Sequence, residues 1–211
     1  MNIIFAGSKG KTGSVIFEYL KEKGYKINSE VNLNEEKLIS VIKPSSIVID
    51  FTNSQTAVEH ANICLKNNSH FICGTTGIDE DLIYQMLKDA SKKNLSFIFS
   101  PNFSTAITKI IKILDDLKND FNNTKIVESH HISKKDLPSG TALLLKKHLK
   151  NETQIESIRT TYQTLDHTIY LKNNYEEITI IHSVKNKLAY AKGVEKALIE
   201  IISKIKESSL F

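Results

Sequence analysis

The chain has little of what marks a membrane-spanning or disulfide-stabilised protein. None of its apolar runs approaches the roughly 20 residues that a membrane helix needs, so we expect no membrane partner. The apolar start of its 211 residues reaches Gly7 without a basic leader, and it does not predict a signal peptide. The two cysteines, Cys64 and Cys73, have neither metal-ligand nor redox spacing. We therefore expect reduced thiols in a cytoplasmic protein.

Arginine is almost absent, because Arg159 stands alone among 28 lysines and arginines. We interpret this shortage as codon bias. The lysines are spread among acidic residues, and the net charge is only +4. A mild positive charge favours anionic small molecules, and without a dense basic block interleaved with aromatics we expect no nucleic-acid partner. The His, Cys and carboxylate residues show no metal-ligand spacing, so we expect no metal.

The first hundred residues alternate between strand-like and helix-like segments. An apolar run over Asn2–Ala6 leads through glycines into helical spacing at Ser14–Lys23, and Tyr25–Val31 follows as a second strand. The β-branched run Ser46–Phe51 is typical of a strand buried in a parallel sheet. Further helix and strand patterns continue as far as Phe99. This alternation predicts an α/β fold with an open parallel sheet.

The pattern changes after residue 103. Ser104–Asp120 has the spacing of one long helix, and Thr124–His131 is strand-like. Strand-like alternation returns over residues 155–184, and an amphipathic helix over Gly193–Lys206 follows. These segments predict a second, smaller α+β domain with a mixed or antiparallel sheet, joined to the first by a short hinge.

The segment Gly7–Gly13 has its glycines in the order G-x-x-G-x-x-G, directly after a predicted strand and before a predicted helix. Such a turn lets backbone N–H groups approach a pyrophosphate at a helix N-terminus, although a merely structural turn has the same spacing. Phe5 stands where a Walker A loop needs glycine, which excludes that motif. Glu30 and Asn32 are candidates for the group that holds a ribose, and Asn32 does not repel a 2′-phosphate. The sequence leaves NADH and NADPH equally open.

A second chemistry-bearing segment is E128-S-H-H-I-S-K-K-D-L-P-S-G-T-A142. Lys134 can deliver a proton, and a bound dicarboxylate would keep its ammonium charged. Ser139 is a good N-cap, and the N–H groups of the helix start behind it suit a carboxylate. His131 adds a positive donor when it is protonated. Alternatively, the histidines are ordinary strand residues and Ser139 is a plain cap. Taken together, the residues favour reduction of a small carboxylated molecule.

Six stretches carry a family resemblance: A6-G-S-K-G-K-T-G13, D50-F-T52, G74-T-T-G77, S100-P-N-F-S104, the segment 128–142 and A191-K-G193. In them the chain resembles the 4-hydroxy-tetrahydrodipicolinate reductase (dihydrodipicolinate reductase) family, nicotinamide-dependent enzymes of lysine (diaminopimelate) biosynthesis. The stretches occur in the family's order and span nearly the whole chain. The string H-H-x-x-K-x-D-x-P-S-G-T is highly specific, whereas the glycine loop is not. The resemblance implies reduction of 4-hydroxy-tetrahydrodipicolinate to tetrahydrodipicolinate with NADH or NADPH.

The resemblance also implies roles for individual residues. His130 takes the position of an acid/base histidine, and Lys134 that of a proton-donating lysine. The substrate's carboxylates would be bound by His131, Ser139, Gly140 and Thr141. The pyrophosphate and ribose of the dinucleotide would be bound by Gly7, Ser8, Lys9, Gly10, Lys11, Thr12 and Asn32. The nicotinamide would be lined by Gly74, Thr75, Thr76, Ser100, Pro101, Asn102 and Phe103.

The family's organisation implies a Rossmann-like cofactor domain over residues 1–103, to which residues 188–211 return. Residues 104–187 would form the domain for substrate binding and oligomerisation, and the usual family assembly is a homotetramer. The chain departs from the family at Thr12, where methionine is common, and at Lys187, where arginine is usual. It is also shorter than usual before D50-F-T52 and around residues 151–166. None of these departures removes the proposed chemistry.

Two other functions stay open at this point. A non-catalytic dinucleotide-binding redox sensor would keep the fold, although it has no use for a proton donor. A reductase of another carboxylated cyclic imine would need the same groups. His167 and His182 are either family histidines or packing residues. We expect the remaining three histidines to lie at the surface: His60, His70 and His148.

Overall fold

The computed structural model describes residues 1–150, 152–162 and 165–208. They divide into two compact units, one of Met1–Phe103 with the segment from Tyr190 onward, and one of Ser104–Ala189. Each unit has a hydrophobic core of its own. No helix in the described ranges is both long and apolar enough to cross a membrane.

The first unit is built on five parallel strands in the spatial order β2-β1-β3-β4-β5. The strands are β1 (Ile3–Ala6), β2 (Ile27–Glu30), β3 (Ile47–Asp50), β4 (His70–Cys73) and β5 (Phe97–Phe99). Each of the first four is followed by a helix: α1 (Gly13–Glu22), α2 (Glu35–Val41), α3 (Ser54–Lys66) and α4 (Glu80–Lys92). This is the arrangement that the alternating sequence predicts, and the predicted fold class is confirmed.

The strand side chains of the first unit sort onto two faces, because successive residues of a strand point in opposite directions. Val48 and Phe71 pack with α2, α3 and α4 on one face. Ile49 and Ile72 pack on the other face with α1 and the C-terminal helix. Since both faces are covered, the three interior strands β1, β3 and β4 are buried along their whole length, which is why their sequences are mostly apolar, whereas the edge strand β2 alternates.

The second unit contains a four-stranded mixed sheet in the order β7-β6-β8-β9. Its strands are β6 (Asn123–His131), β7 (Gln154–Thr160), β8 (Leu165–Lys172) and β9 (Glu177–Ser183). β6 pairs in parallel with β7 and antiparallel with β8, and β8 pairs antiparallel with β9. The helices α5 (Thr105–Leu117) and α6 (Gly140–Lys147) pack on one face of this sheet. The mixed sheet is also as predicted.

The last helix, α7 (Leu188–Ser208), starts earlier than the predicted Gly193. Gly193 therefore lies inside the helix. A Cβ atom at this position would stand 1.7 Å from the carbonyl oxygen of Phe103, so the glycine serves close packing inside the first unit and does not mark a helix boundary.

Candidate functional site

The loop between β1 and α1 is a backbone turn that only glycine fits. Gly7 has a φ of +87°, and a Cβ atom on it would lie 2.3 Å from the carbonyl oxygen of Phe51. A Cβ atom on Gly13 would lie 2.1 Å from the carbonyl oxygen of Gly7. The turn closes through a hydrogen bond from the Gly10 amide to Gly7. The loop thus runs directly into the start of α1, a geometry that suits a phosphate anion.

The predicted pyrophosphate residues all lie in this loop, and the basic ones, Lys9 and Lys11, are exposed on it. Ser8 is buried and connects the loop to the end of β2. Its hydroxyl donates to Glu30 Oε2 at 2.6 Å and lies 3.1 Å from Asn32 Oδ1. Both candidates for a ribose contact are therefore held beside the glycine loop, and the loop fits a dinucleotide.

Phe51, directly after β3, connects the other loops at this end of the sheet. A Cβ atom on Gly74 would lie 2.1 Å from the nearest atom of the Phe51 ring, so only glycine leaves room for this ring. The centroid of the Phe51 ring is 6.1 Å from that of the Phe103 ring. Gly74, Thr75 and Thr76 follow β4, and Ser100, Pro101, Asn102 and Phe103 follow β5. The predicted nicotinamide residues therefore lie beyond the carboxyl ends of parallel strands, where open α/β sheets bind ligands.

A buried carboxylate in the stretch D50-F-T52, to which the sequence analysis assigned no role, holds two of these loops. Asp50 Oδ1 accepts hydrogen bonds from the amide and hydroxyl of Thr52 and from the hydroxyl of Thr75. Asp50 Oδ2 lies 2.7 Å from Nδ1 of His60, and both side chains are fully buried. The carboxylate thus fixes the loop after β3 to the loop after β4.

The prediction that His60, His70 and His148 lie at the surface is wrong for His60 and His70. His60 is buried because α3 turns it toward Asp50. His70 is buried as the first residue of the interior strand β4, and burial lowers its pKa. His148 is half-buried beside Asp115. The local sequence pattern around these histidines did not reveal their contacts with other parts of the chain.

In the second unit, the inward face of the mixed sheet changes from apolar to polar along its length. On β6 the buried side chains are Thr124, Ile126, Glu128 and His130, since alternate residues share a face, and the last two form the polar end. His167 on β8 and His182 on β9 are buried at the polar end of this face. The polar end stands beside the start of α6, because Ser139 Oγ lies 3.4 Å from Nε2 of His167.

Glu128 is the centre of this polar cluster. One carboxylate oxygen accepts from the amide of Ser139 at 3.1 Å, and the other is hydrogen-bonded to Nδ1 of His130. Arg159 of β7 donates to both oxygens, each at 3.0 Å. Burial opposes ionisation of Glu128, but the hydrogen bonds from Arg159 and His130 outweigh it, so its pKa lies below the usual value. A buried, ionised carboxylate thus joins β6, β7 and α6.

The predicted substrate residues do not all lie on one side of β6. His130 points inward, and its pKa is lowered by burial, although Glu128 acts in the opposite direction. His131 lies on the opposite face and contacts Ser133 through Nδ1. Ser139 caps α6 by accepting from the amide of Ala142, and Gly140 and Thr141 form the first turn. Lys134 Nζ is 2.7 Å from Asp136 Oδ2 in the loop between them.

Sequence reasoning missed Glu128 and Arg159 as parts of this site. Glu128 could have been found, because it lies two residues before His130 on a predicted strand and so shares its face. Arg159 lies on β7, far from the motif in the sequence, and only the parallel pairing of β6 with β7 brings it next to Glu128. In the described residues, no three His, Cys, Asp or Glu side chains are grouped so as to hold a metal ion.

Two protein-family models match the chain in succession. The model for dihydrodipicolinate reductase, N-terminus, matches residues 1–103, and the model for dihydrodipicolinate reductase, C-terminus, matches residues 103–210. Among individual relatives, a 4-hydroxy-tetrahydrodipicolinate reductase of Thermosipho africanus (strain TCF52B) is 32% identical over 94% of this chain and 90% of its own length. One from Rickettsia peacockii (strain Rustic) is 32% identical over 94% of this chain and 92% of its own length.

Solved structures share the fold. A dipicolinate-bound dihydrodipicolinate reductase from Paenisporosarcina sp. TG-14 superposes with a TM-score of 0.74 at 23% identity, covering 96% of this chain and 95% of its own. An aspartate dehydrogenase from Thermotoga maritima superposes with a TM-score of 0.60 at 14% identity, covering 95% of this chain and 96% of its own.

Proposed function

Because this chain belongs to the dihydrodipicolinate reductase family, we propose that it reduces 4-hydroxy-tetrahydrodipicolinate to tetrahydrodipicolinate in lysine (diaminopimelate) biosynthesis. The observation that carries the proposal is the match of both halves of the chain to the two models of this one family. The chain is accordingly an NAD(P)H-dependent oxidoreductase. The first unit would bind the dinucleotide, and the second would bind the dicarboxylate substrate.

The second unit offers the groups that a reduction of a carboxylated cyclic imine needs. A reduced nicotinamide supplies a hydride when it is bound, so this chain has to supply a proton and hold the carboxylates. Lys134 is the proton donor, since its ammonium is partly exposed and carries a proton that it can release. His130 is neutral at pH 7 because its pKa is lowered, and it accepts or returns a proton.

The carboxylates of the substrate would be bound at the start of α6. Its first residues, Gly140 and Thr141, follow the cap Ser139, and a helix start favours negative charge. The amide of Ser139 already donates to Glu128, which fixes the direction of the turn. His131, the last residue of β6, would add a positive donor from the end of the strand when it is protonated.

We propose NADH as the preferred dinucleotide. The open concavity beside Ser8, of about 780 Å³, is lined by three carboxylates, Glu30, Glu35 and Glu36, and two lysines, Lys9 and Lys37. Glu30 and Asn32 offer acceptors for ribose hydroxyls. The 2′-phosphate of NADPH would bring further negative charge to a site in which carboxylates outnumber ammonium groups, and like charges repel.

We propose a homotetramer assembled through the outward face of the mixed sheet. This face carries apolar side chains on neighbouring strands, among them Val127 on β6, Ile158 on β7 and Ile181 on β9. Ile181 is 67% exposed and Ile158 is 41% exposed, and a sheet face with several exposed apolar side chains marks a contact surface.

We also propose a cytoplasmic location, since Cys64 and Cys73 are both buried, free thiols.

The proposal is tested by mixing purified protein with NADH and freshly generated 4-hydroxy-tetrahydrodipicolinate. Absorbance of the reduced nicotinamide should fall only when protein and substrate are both present. NADH binding without turnover on any cyclic imine would favour a redox sensor. Turnover on a different carboxylated imine alone would favour the related reductase.

A further inference from the structure

The single arginine of the chain uses every one of its N–H donors. A guanidinium has five N–H groups in a planar fork. Those of Arg159 donate to Glu128 Oε1 and Oε2, to the carbonyl oxygen of Ile158 at 2.9 Å, to that of Lys134 at 3.3 Å and to that of Asp136. Its side chain is only 16% exposed. An arginine with all five donors engaged is part of a built structure and not a solvated surface charge.

Lysine cannot replace this arrangement. An ammonium has three donors on one atom and makes no parallel pair of bonds to a carboxylate. Every other position in the set of 28 lysines and arginines is lysine, so the chain has an arginine only where β7 faces Glu128. Although arginine is almost absent from the chain, it is present at the one site where the geometry of its guanidinium is used.

The contacts of Arg159 reach the loop that carries Lys134. Its Nε holds the carbonyl of Lys134, and Nη2 holds the carbonyl of Asp136, so two peptide groups of the loop are fixed against β7. The Lys134 ammonium is in turn bound to the Asp136 carboxylate at 2.7 Å. Both the backbone and the charged end of Lys134 thus depend on segments that Arg159 holds.

We propose that Arg159 is a positioning residue for the proton donor: it anchors the Lys134–Asp136 loop to the buried carboxylate of Glu128, and so fixes Lys134 relative to His130 and Ser139. This inference rests on the proposed function for the identity of the proton donor. The anchoring itself is a statement about structure that can be tested without turnover.

Arg159 also acts on the charge of His130. The imidazole is faced by Glu128 on its own strand, by Arg159 on β7, by His167 on β8 and by Lys134 from the loop. Arg159 and Lys134 disfavour a positive charge on His130, and Glu128 favours it. Removing the guanidinium charge therefore raises the pKa of His130, whereas a lysine at position 159 keeps the charge and loses only the fork.

The experiment compares Arg159→Lys, Arg159→Gln and a control, Lys125→Met. Lys125 pairs with Glu156 across the same two strands but has no contact with the loop among those described. We expect Arg159→Lys to lower kcat about 100-fold, the cost of a misplaced catalytic group. The Kd for dipicolinate, measured by calorimetry, should change much less. Wild-type kcat in Arg159→Lys would overturn the proposal.

Two further measurements separate anchoring from a general loss of structure. In histidine-labelled protein, the NMR titration of His130 should move to higher pH in Arg159→Gln and stay near wild type in Arg159→Lys. Amide hydrogen exchange over residues 133–136 should quicken in both Arg159 variants and not in Lys125→Met. Unchanged exchange in the Arg159 variants contradicts the anchoring, even if wild-type protein shows no turnover on the proposed substrate and the proposed function fails.

Because Arg159 is mostly buried, a variant at an exposed position tests the same loop without disturbing buried packing. Asp136→Asn removes the partner of the Lys134 ammonium from an exposed position. If Arg159 acts through this loop, the kcat losses of Arg159→Lys and Asp136→Asn should be strongly non-additive in the double variant. Additive losses would show that the two residues act independently, against the proposal.

Discussion

The imidazole rings of His130 and His167 stand edge to face on neighbouring strands, with their centroids 5.3 Å apart. His182 continues the row, 5.9 Å from His167. Burial lowers the pKa of all three, and at His167 burial and the two neighbouring imidazoles lower it to about 3. The three imidazoles are therefore neutral at pH 7, and the positive charges of this cluster are those of Arg159 and Lys134.

This row predicts a loss of stability in mild acid. An unfolded histidine takes up a proton as the pH falls below about 6.5, while folded His167 stays neutral until about pH 3. The unfolded state then binds more protons, so the free energy of unfolding falls with pH between these values. One such histidine contributes up to about 1.4 kcal/mol per pH unit.

Urea denaturation of wild type and His167→Gln between pH 7.5 and 4 would measure this effect. The wild-type protein should lose more stability than the variant over that range. Tyr175→Phe, a change on the same unit at a position that is 94% exposed, serves as the control and should keep the wild-type slope. Parallel curves for wild type and His167→Gln would contradict the neutral, buried state of His167.

The two reactive side chains of the motif are predicted to be needed for turnover. Lys134→Ala and His130→Ala should each lower kcat by at least about 100-fold, because each removes a group that transfers a proton. Lys135→Ala removes an exposed neighbouring ammonium and should leave kcat within a few-fold of wild type. Steady-state kinetics on all three variants, with circular dichroism as a check of folding, provides the measurement.

Near-wild-type rates in both Lys134→Ala and His130→Ala would show that the proton comes from elsewhere. An equal loss in Lys135→Ala would point to the total charge of the loop and not to one donor.

Discrimination between the two dinucleotides is predicted to depend on Glu30. Quenching of the fluorescence of the reduced nicotinamide on binding gives a Kd for each, and NADH should bind more tightly than NADPH. Glu30→Gln should narrow the difference by strengthening NADPH binding, since one repelling carboxylate is lost. In this variant the side-chain amide oxygen at position 30 can still accept the hydrogen bond from the Ser8 hydroxyl, so the glycine loop is preserved. Tighter binding of NADPH by the wild-type protein would refute the preference.

The assembly is predicted to depend on the outward face of the mixed sheet. Ile181→Lys should lower the mass measured by light scattering from a tetramer to a smaller species, because a charge cannot be buried unpaired in an interface. The control is Ile39→Lys on α2 of the first unit, an isoleucine that is 58% exposed, and it should leave the mass unchanged. A wild-type protein that is monomeric at micromolar concentration would exclude the tetramer.

Much of the fold could be predicted because its signals are local. The β-branched run around Ile47–Asp50 and the helical spacing of α1 follow from residues a few positions apart. Gly7 and Gly13 could be placed at a tight turn for the same reason. Burial of His60 could not, since it depends on Asp50, a residue ten positions away on another element.

The sequence by itself determined the class of the first unit and the α+β character of the second, and it pointed to His130 and Lys134 as candidates for the reactive residues, because periodicity and motif spacing are properties of neighbouring residues. Only the tertiary structure decided which face of β6 is buried, so that His130 is buried and His131 is not, and that Glu128 is a buried, ionised hub. It alone brought Arg159 to that hub, since the pairing of β6 with β7 is a contact between segments that lie 31 positions apart at Glu128 and Arg159. The chain's spacing cannot specify such a contact; packing and the need to pair a buried charge do.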